Sequence, residues 1–249
     1  MRKRFPDVEL PLLLIGFKTY GEATGDGAVR LASIAREIAA RTGISIVPIG
    51  QYTDIHRIAS LGVPVFAQHI DPIRAGSHTG HILPEAVREA GAVGTLINHS
   101  ERKLSPAEIE GCVKRAREVE LLSCVCSDCP QMTREIACFY PDLILVENPE
   151  LIGTGRAVSS ADPEILSKSL DAVAEVGRRI PLVCGAGIGN HRDVEKAISL
   201  GMSGVGAASA IIRSPDPAEV IKELSGALLS SWHGKRITLL PRSISPPRG

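Results

Sequence analysis

The sequence predicts one α/β domain folded as a closed (β/α)8 barrel, and three observations support that prediction. Apolar runs of strand length alternate with segments of helical periodicity eight times within a single chain of 249 residues. The apolar runs are continuous, which is typical of parallel strands that are buried on both faces. No flexible linker interrupts the series, so we expect the barrel to extend over residues 1–229.

The eight strand–helix units follow one another along the chain. The predicted strands are 12–17, 44–48, 63–67, 94–97, 121–126, 143–146, 182–184 and 204–207. The predicted helices are 27–41, 52–59, 84–89, 105–119, 130–138, 162–178, 193–199 and 217–229. Ser105 marks the start of the fourth helix, because Ser105, Pro106 and Glu108 have the spacing of a capping box with proline at the first helical position. An open, doubly wound sheet is the alternative arrangement of the same units.

Composition and charge exclude several classes of function. Hydrophobic residues make up 44% of the chain and aromatic residues 3%, so we expect a core filled mainly by Val, Ile, Leu and Ala. The formal net charge is zero, which argues against nucleic acid as a partner. No apolar run reaches the ~18–20 residues that cross a bilayer, and the first run, 10–17, lacks a signal-peptide cleavage pattern. We therefore expect a soluble protein without a membrane partner, and six cysteines without a disulfide-framework spacing favour the cytoplasm.

Residues 230–249 differ from the rest of the chain. They contain no acidic residue, a Pro-Pro pair, and the basic residues Lys235, Arg236, Arg242 and Arg248. This composition predicts a disordered basic tail. Adventitious contact of the tail with nucleic acid or a membrane is the minor alternative.

Three polar residues stand directly after predicted strands: Lys18 after the first, His99 after the fourth and Glu147 after the sixth. In a (β/α)8 barrel the carboxyl ends of the strands meet at the face that carries the active site. The segment that follows Glu147 has a rigid Pro149 at one end and glycines at the other, which is typical of a lid that closes over a base. The three side chains are therefore predicted to meet at one cavity.

Two small-residue segments, 185–189 and 206–210, follow the seventh and eighth strands. Small residues expose backbone N–H groups at helix starts, which suits a phosphate dianion, and Lys18 adds a positive charge. The implied chemistry is proton transfer on a small phosphorylated carbonyl compound. Glu147 would take a proton from the carbon next to the carbonyl, and a neutral His99 would hydrogen-bond the oxygen that becomes an enediolate. The first segment departs from the spacing of a dinucleotide fingerprint, so no nicotinamide site is expected.

Two clusters resemble metal sites without meeting the requirements of one. A structural zinc ion takes four ligands, and the cysteine cluster lacks a fourth ligand at a suitable spacing. The histidine cluster lies in one predicted loop, where packing explains it better. The members are Cys124, Cys126 and Cys129 in the first cluster and His69, His78 and His81 in the second. No metal is predicted.

Five motifs in the same order, from about residue 11 to residue 228, resemble those of triosephosphate isomerases. They are GFKTY at 16–20, AQHID at 67–71, GSHTGH at 76–81, NHSE at 98–101 and PELIGTG at 149–155. The compact length and CGAGI at 184–188 resemble the archaeal branch of that family. Each motif alone is weak, and their shared order identifies the chain as similar to this family.

The resemblance implies a TIM barrel that interconverts dihydroxyacetone phosphate and D-glyceraldehyde 3-phosphate in glycolysis and gluconeogenesis, without a cofactor. It implies that Glu147 is the general base, His99 the electrophile and Lys18 the catalytic cation. The implied substrate- or phosphate-binding residues are Gly16, Phe17, Ile152, Gly153, Gly187, Ala208 and Ser209. Glu101 supports Lys18, and Thr79 lies on the loop that reaches a neighbouring subunit's site, so a homodimer or homotetramer is implied.

The chain also departs from the family's pattern at four positions near this site. Gly16 stands where the family has Asn, Asn148 replaces a Pro after the base, and Ala210 replaces a Gly. Gly189 replaces a Ser, which removes a hydroxyl and keeps a backbone donor. These departures leave two alternatives open. One is an isomerase of another small ketose phosphate, such as a tetrose phosphate, and the other is a phosphate-ligand-binding barrel with little turnover.

Overall fold

The structure, a computed structural model, describes residues 6–154 and 156–242. Eight parallel strands close a barrel in which each strand neighbours the next along the chain and the last pairs with the first. A separate two-stranded antiparallel sheet joins a strand that precedes the barrel to one that follows it. The strands are β1 Val8–Leu10, β2 Leu12–Gly16, β3 Ser45–Gly50, β4 Phe66–Ala67, β5 Gly94–Ile97, β6 Leu122–Ser127, β7 Leu143–Val146, β8 Leu182–Cys184, β9 Gly204–Ala207 and β10 Ile237–Leu239.

Helices connect successive barrel strands. They are α1 Asp26–Thr42, α2 Ile55–Ala59, α3 Pro84–Glu89, α4 Pro106–Glu118, α5 Pro130–Phe139, α6 Val158–Ala161, α7 Pro163–Glu175, α8 His191–Ser199, α9 Ser209–Ile212 and α10 Pro217–Ser231. The predicted capping box is confirmed, because Ser105 and Glu108 each bond the other's backbone N–H at the start of α4. Helices α6 and α9 were not predicted, since four residues carry too little periodicity. Over the described ranges, no helix has both the length and the apolar character that a bilayer crossing requires.

The closed barrel predicted from the sequence is confirmed, and the open sheet is excluded. β2 pairs in parallel with β3 on one side and with β9 on the other, so the sheet has no free edge. The third predicted strand, 63–67, is shorter than expected, and only Phe66 and Ala67 form regular pairs. Pro64 explains the difference, because proline has no N–H to donate to a neighbouring strand.

Two apolar clusters form the core, one on each face of the barrel wall. In β2, Leu13 and Ile15 pack in the cluster between strands and helices, whereas Leu12 and Leu14 belong to the cluster inside the barrel. This assignment follows from the alternation of side chains along a strand. Continuous apolar runs are therefore needed to fill both clusters.

The prediction of a disordered tail from residue 230 is corrected for the residues that the structure describes. Helix α10 continues to Ser231, and β10 then pairs antiparallel with β1, with Leu239 opposite Val8. Trp232 and Leu239 pack against the cluster inside the barrel, at the amino-terminal end of the strands. Partial burial of these two apolar side chains favours the ordered arrangement, and charge composition alone does not reveal it. Residues 243–249 lie outside the described residues.

Candidate active site

The structure brings Lys18, His99 and Glu147 to one cavity at the carboxyl ends of the barrel strands. The cavity lies at the face that the sequence predicts for chemistry. The predicted binding residues that also line it are Gly16, Ile152, Gly153, Gly187, Ala208 and Ser209. One small space is thus lined by residues from the first, fourth, sixth, seventh and eighth barrel strands and their loops.

Glu147 follows β7 directly and points into the cavity with only 12% of its side chain exposed. Its backbone N–H donates to the carbonyl of Ser127, which fixes the residue to the neighbouring strand. Burial raises the pKa of the Glu147 carboxyl to about 7, and the positive charge of Lys18 acts in the opposite direction. Its Oε2 is buried without a hydrogen-bond partner among the described residues. The carboxyl group therefore combines a pKa near neutrality with an oxygen that is free to accept a proton.

Gly185 makes the room that the Glu147 side chain occupies. A Cβ atom built on Gly185 would lie 2.4 Å from Cγ of Glu147 and 2.6 Å from its Oε1, closer than any real contact. Segment 185–189, which follows the seventh barrel strand, therefore makes space for the Glu147 side chain and also forms part of the predicted phosphate site. A glycine is required here by close approach rather than by its backbone angles.

His99 is positioned by the residue before it. Asn98 is buried in the left-handed region with φ 62°, a conformation that asparagine tolerates better than most residues. Its amide donates to the carbonyl of Cys126 at 3.0 Å and accepts from the N–H of Leu104 at 2.9 Å. These two bonds hold the turn so that Nε2 of His99 lies 3.4 Å from Oε2 of Glu147.

The His99 ring is held in its neutral form. The backbone N–H of Glu101 donates to Nδ1 of His99 at 3.2 Å, so Nδ1 acts as the acceptor. Burial lowers the pKa of the imidazole, and the nearby Lys18 ammonium lowers it further, against a smaller opposing effect of the Glu101 carboxylate. The remaining proton then sits on Nε2, which is the nitrogen that faces the cavity.

Lys18 is held at both its backbone and its side chain. Its backbone lies in the left-handed region with φ 46°, and its carbonyl accepts a 2.7 Å hydrogen bond from the Gln68 side chain. Its Nζ lies 2.7 Å from Oε1 of Glu101, and 19% of the lysine side chain is exposed. The predicted pairing of Lys18 with Glu101 is thus present in the structure. The ammonium is fixed at the cavity and remains accessible to an anion.

The loops predicted to hold phosphate have the expected small residues but one fewer free donor. After β8, Ala186 and Gly187 both lie in the left-handed region, with φ 60° and 74°. The N–H of Gly189 donates to the Asp193 carboxylate at 3.0 Å, so the backbone donor expected at this position is already bonded. The cause is the capping box of α8, whose Asp193 carboxylate also accepts from Asn190.

Three predicted site residues do not line the cavity: Phe17, Thr79, and Glu101, which pairs with the lining residue Lys18. Phe17 is fully buried in the cluster between strands and helices, because strand alternation directs it to the face opposite Gly16. The Phe17 side chain therefore faces away from the cavity, and the predicted contact of Phe17 with substrate stays a prediction. Thr79 is exposed on the loop between β4 and α3 and does not line the cavity within this chain.

The structure also adds residues that the sequence analysis missed. Gln68 and Asn98 position Lys18 and His99, and Gly185 makes room for Glu147. A strand-end asparagine is a usable signal for a left-handed residue, whereas nothing local to Gln68 indicates a contact 50 positions away. Further lining residues that lie outside the two predicted small-residue segments are Leu14, Tyr20, Ile49, Leu96 and Leu145.

The geometry indicates a site for proton transfer, and comparison with known proteins shows the family to which the chain belongs. The family model described as triosephosphate isomerase matches residues 11–224. The chain belongs to the triosephosphate isomerase family. A triosephosphate isomerase of Methanosarcina barkeri is 44% identical over 216 residues, covering 86% of this chain and 97% of that relative. One of Methanobacterium bryantii is 45% identical over 217 residues, covering 87% and 96% of the two chains.

Membership of the triosephosphate isomerase family confirms the resemblance to archaeal relatives and the predicted enzyme class, an isomerase. A crystal structure of triosephosphate isomerase from Bartonella henselae superimposes with a TM-score of 0.64 at 19% identity, covering 89% of this chain and 98% of that one. That similarity shows the shared TIM-barrel fold. The family model ends before the segment that forms β10.

Proposed function

We propose that this chain interconverts dihydroxyacetone phosphate and D-glyceraldehyde 3-phosphate with Glu147 as the base, His99 as the electrophile and Lys18 as the cation for the substrate anion. The convergence of these three side chains on one cavity carries the proposal. Family membership supports the triose phosphate substrate and a place in glycolysis and gluconeogenesis. The isomerisation moves protons and leaves the overall oxidation state unchanged, so it needs no redox cofactor such as a nicotinamide, and the proposed hydrogen bond from His99 stabilises the developing oxyanion.

The first step is removal of a proton from the carbon next to the carbonyl. The ionised Glu147 carboxylate takes that proton while the C–H electron pair moves into a carbon–carbon double bond and the carbonyl π electrons move to oxygen. The Nε2–H of His99 donates a hydrogen bond to the oxygen on which negative charge develops. Return of the proton from Glu147 to the neighbouring carbon, with transfer of the hydroxyl proton, completes the isomerisation.

Lys18 and the small-residue loops are proposed to hold the phosphate end. The ammonium lies at the same cavity as Gly187, Ala208 and Ser209, where the absence of bulky side chains lets a dianion approach the backbone. Its pairing with Glu101 orients it without burying it. Fixing the phosphate in this way places the reacting carbons between Glu147 and His99.

Ile152 and Gly153 are proposed to act as the lid over the reacting groups. Both line the cavity, and Gly153 has a left-handed φ of 76°, which a residue with a side chain adopts at a cost. Closure excludes water, which strengthens the charge interactions around the enediolate and protects it from side reactions.

We propose that the protein assembles as a homodimer or homotetramer in which Thr79 reaches a neighbouring subunit's site. The support is the exposure of residues 74–81, a loop whose start is anchored where the Ile73 carbonyl accepts from Arg115. Size-exclusion chromatography with light scattering tests this, because a dimer has twice the 26.4 kDa mass of one chain. A monomer with full activity would remove the proposed role of Thr79.

A cytoplasmic location is proposed for the same enzyme. The described cysteines are free thiols, three of them buried in barrel strands and one on the buried face of α4, in agreement with a reducing compartment. Fractionation of source cells, followed by detection of the protein in the soluble cytoplasmic fraction, tests this expectation. Recovery only from an envelope or secreted fraction would contradict it.

A coupled assay with each triose phosphate tests the proposed reaction, and a tetrose phosphate should be assayed in parallel. The tetrose substrate is the second candidate, because a Cβ on Gly16 would meet only Ala208 at 3.5 Å and Ala207 at 3.9 Å, which leaves space beside the cavity. Faster turnover of the tetrose phosphate would favour that substrate. Turnover of neither compound, with tight binding of 2-phosphoglycolate, would favour a ligand-binding barrel.

A further inference from the structure

One side chain, Asn148, contacts both the segment that carries the lid and the helix junction that follows it. We refer to residues 149–154 as the lid segment. The Asn148 Oδ1 accepts a 3.0 Å hydrogen bond from the N–H of Glu150, inside the lid segment. Its Nδ2 donates at 3.3 Å to Oδ2 of Asp162, which lies beyond the lid segment at the junction of α6 and α7. The amide thus links a residue inside the lid segment to the helix junction beyond it.

Asp162 is available for this contact because it does not cap its own helix. It occupies the N-cap position of α7, yet among the described residues no N–H of that helix donates to its side chain. Its backbone is fixed instead, since its N–H donates to Val158 at 2.9 Å and its carbonyl accepts from Ile165 at 3.3 Å. The carboxylate is therefore held on a rigid corner and directed towards Asn148.

The contact replaces a covalent restraint that this chain lacks. A proline at position 148 would restrict φ through its ring and so reduce the conformations open to the lid segment. Asn148 has φ −89° and no such ring, and its two side-chain hydrogen bonds restrict the same hinge by other means. Asn148 follows Glu147 in the chain, so a restraint on the Asn148 backbone also restrains the backbone of the proposed base.

We propose that the Asn148–Asp162 hydrogen bond is a latch that pre-orders the lid segment, and that Asn148 is a positioning residue for Glu147. The proposal rests on the proposed function for what the lid covers. In the unliganded protein the latch lowers the number of conformations that must be lost when the lid closes on a phosphorylated ligand. When the Asn148–Asp162 hydrogen bond is broken, the entropy cost of ordering the lid segment is added to the free energy of ligand binding.

Four variants test the latch with 2-phosphoglycolate as the probe. Asn148→Ala removes both bonds, and Asn148→Asp places a carboxylate opposite Asp162, so the like charges repel. Asp162→Asn is the matched control, because its amide oxygen still accepts from Asn148. The double variant Asn148→Asp with Asp162→Asn reverses the donor and acceptor and restores the bond. Affinity for 2-phosphoglycolate and hydrogen–deuterium exchange of residues 149–154 are measured for each.

We expect Asn148→Asp to weaken 2-phosphoglycolate binding by about threefold to tenfold, the effect of one net hydrogen bond, and Asn148→Ala, which loses both bonds, to weaken it at least as much. Both variants should speed exchange in the lid segment. The control and the double variant should stay within about twofold of the parent. In kinetics, KM should rise more than kcat falls, because the ordering cost is met on binding.

Unchanged affinity and exchange in Asn148→Asp, or a double variant no better than that single variant, would overturn the latch. These readouts do not require turnover. If no isomerisation were detected while exchange in 149–154 still followed the predicted order of variants, the proposed reaction would be rejected and the latch would be supported. If turnover held and exchange did not change, the latch alone would be rejected.

Discussion

The backbone N–H of Glu101 donates a 3.2 Å hydrogen bond to Nδ1 of His99, and this bond decides which ring nitrogen carries the proton. With Nδ1 as acceptor, Nε2 is the donor, and it lies 3.4 Å from Oε2 of Glu147. The pKa of the imidazole is lowered by burial and by Lys18, so the ring is neutral at any pH at which the Glu147 carboxyl is ionised. A neutral donor beside a carboxylate of raised pKa is the arrangement that proton transfer through an enediolate needs.

The pH dependence of turnover should follow the ionisation of Glu147. Burial raises the pKa of this carboxyl to about 7, and a base acts only when ionised, so kcat/KM should rise with pH through about 7 and level off above it. A substrate phosphate, with a second pKa of about 6, titrates roughly one unit lower. Initial rates between pH 5 and 9 test the prediction, and a profile that falls as pH rises through 7 would contradict it.

Glu147 should also cost stability at the pH where it works. Its pKa is raised on folding, so the cost is absent below about pH 4.5, grows as the pH rises towards 7 and is constant above that. Glu147→Gln should therefore stabilise the protein, by on the order of 2 kcal/mol more at pH 8 than at pH 5. Urea unfolding at both pH values measures the difference. An equal effect at the two pH values would show that the carboxyl is not destabilised by burial.

Gly16→Asn should raise kcat/KM for the triose phosphates. A Cβ at Gly16 meets Ala208 at 3.5 Å, an ordinary contact, so the larger residue can enter without displacing the backbone. An amide at this position would add a hydrogen-bonding group next to Lys18, worth about threefold to tenfold if it acts in the transition state. Gly16→Ala is the matched control, since it adds the Cβ alone. A fall in kcat/KM for triose phosphates with the Asn variant would favour the tetrose phosphate substrate.

The ribbon of β1 and β10 should stabilise the barrel without affecting turnover. Leu239 packs against the cluster inside the barrel, whereas its neighbour Leu240 is 71% exposed. We expect Leu239→Ala to lower the free energy of unfolding by about 1–3 kcal/mol and Leu240→Ala to change it by less than about 0.5 kcal/mol. Thermal unfolding of the two variants checks this, with kcat at 25 °C expected to match the parent. Equal stabilities would mean that the ribbon contributes nothing to the barrel.

Arg242 gives the same ribbon a second anchor. Its guanidinium lies 3.7 Å from the ring centroid of Tyr140, and its backbone N–H donates to Asp142 at 3.2 Å. Asp142 also accepts from the N–H and hydroxyl of Ser123, so one buried carboxylate links the end of the described chain to the start of β6. Sequence composition indicated only a basic tail, because the partners of these residues are about 100 positions away.

The features that the sequence predicted well are those with a local signal. Continuous apolar runs fix the strands, and the topology of a parallel barrel then brings Lys18, His99 and Glu147 to one face although they are far apart in the chain. The burial of the Phe17 side chain outside the cavity also has a local signal, since alternation places it opposite Gly16. Gln68 and the pairing of β10 with β1 were not predictable in this way, because each depends on a partner that no short pattern specifies.

The turnover number of Glu147→Gln tests the central claim most directly. Gln preserves the size of the side chain and removes the ionisable group, so kcat for both triose phosphates should fall by about 10²- to 10⁴-fold while 2-phosphoglycolate still binds. That result would assign the proton transfer to Glu147. A kcat equal to that of the parent would contradict the account, because the buried carboxyl beside His99 could then have no part in the chemistry.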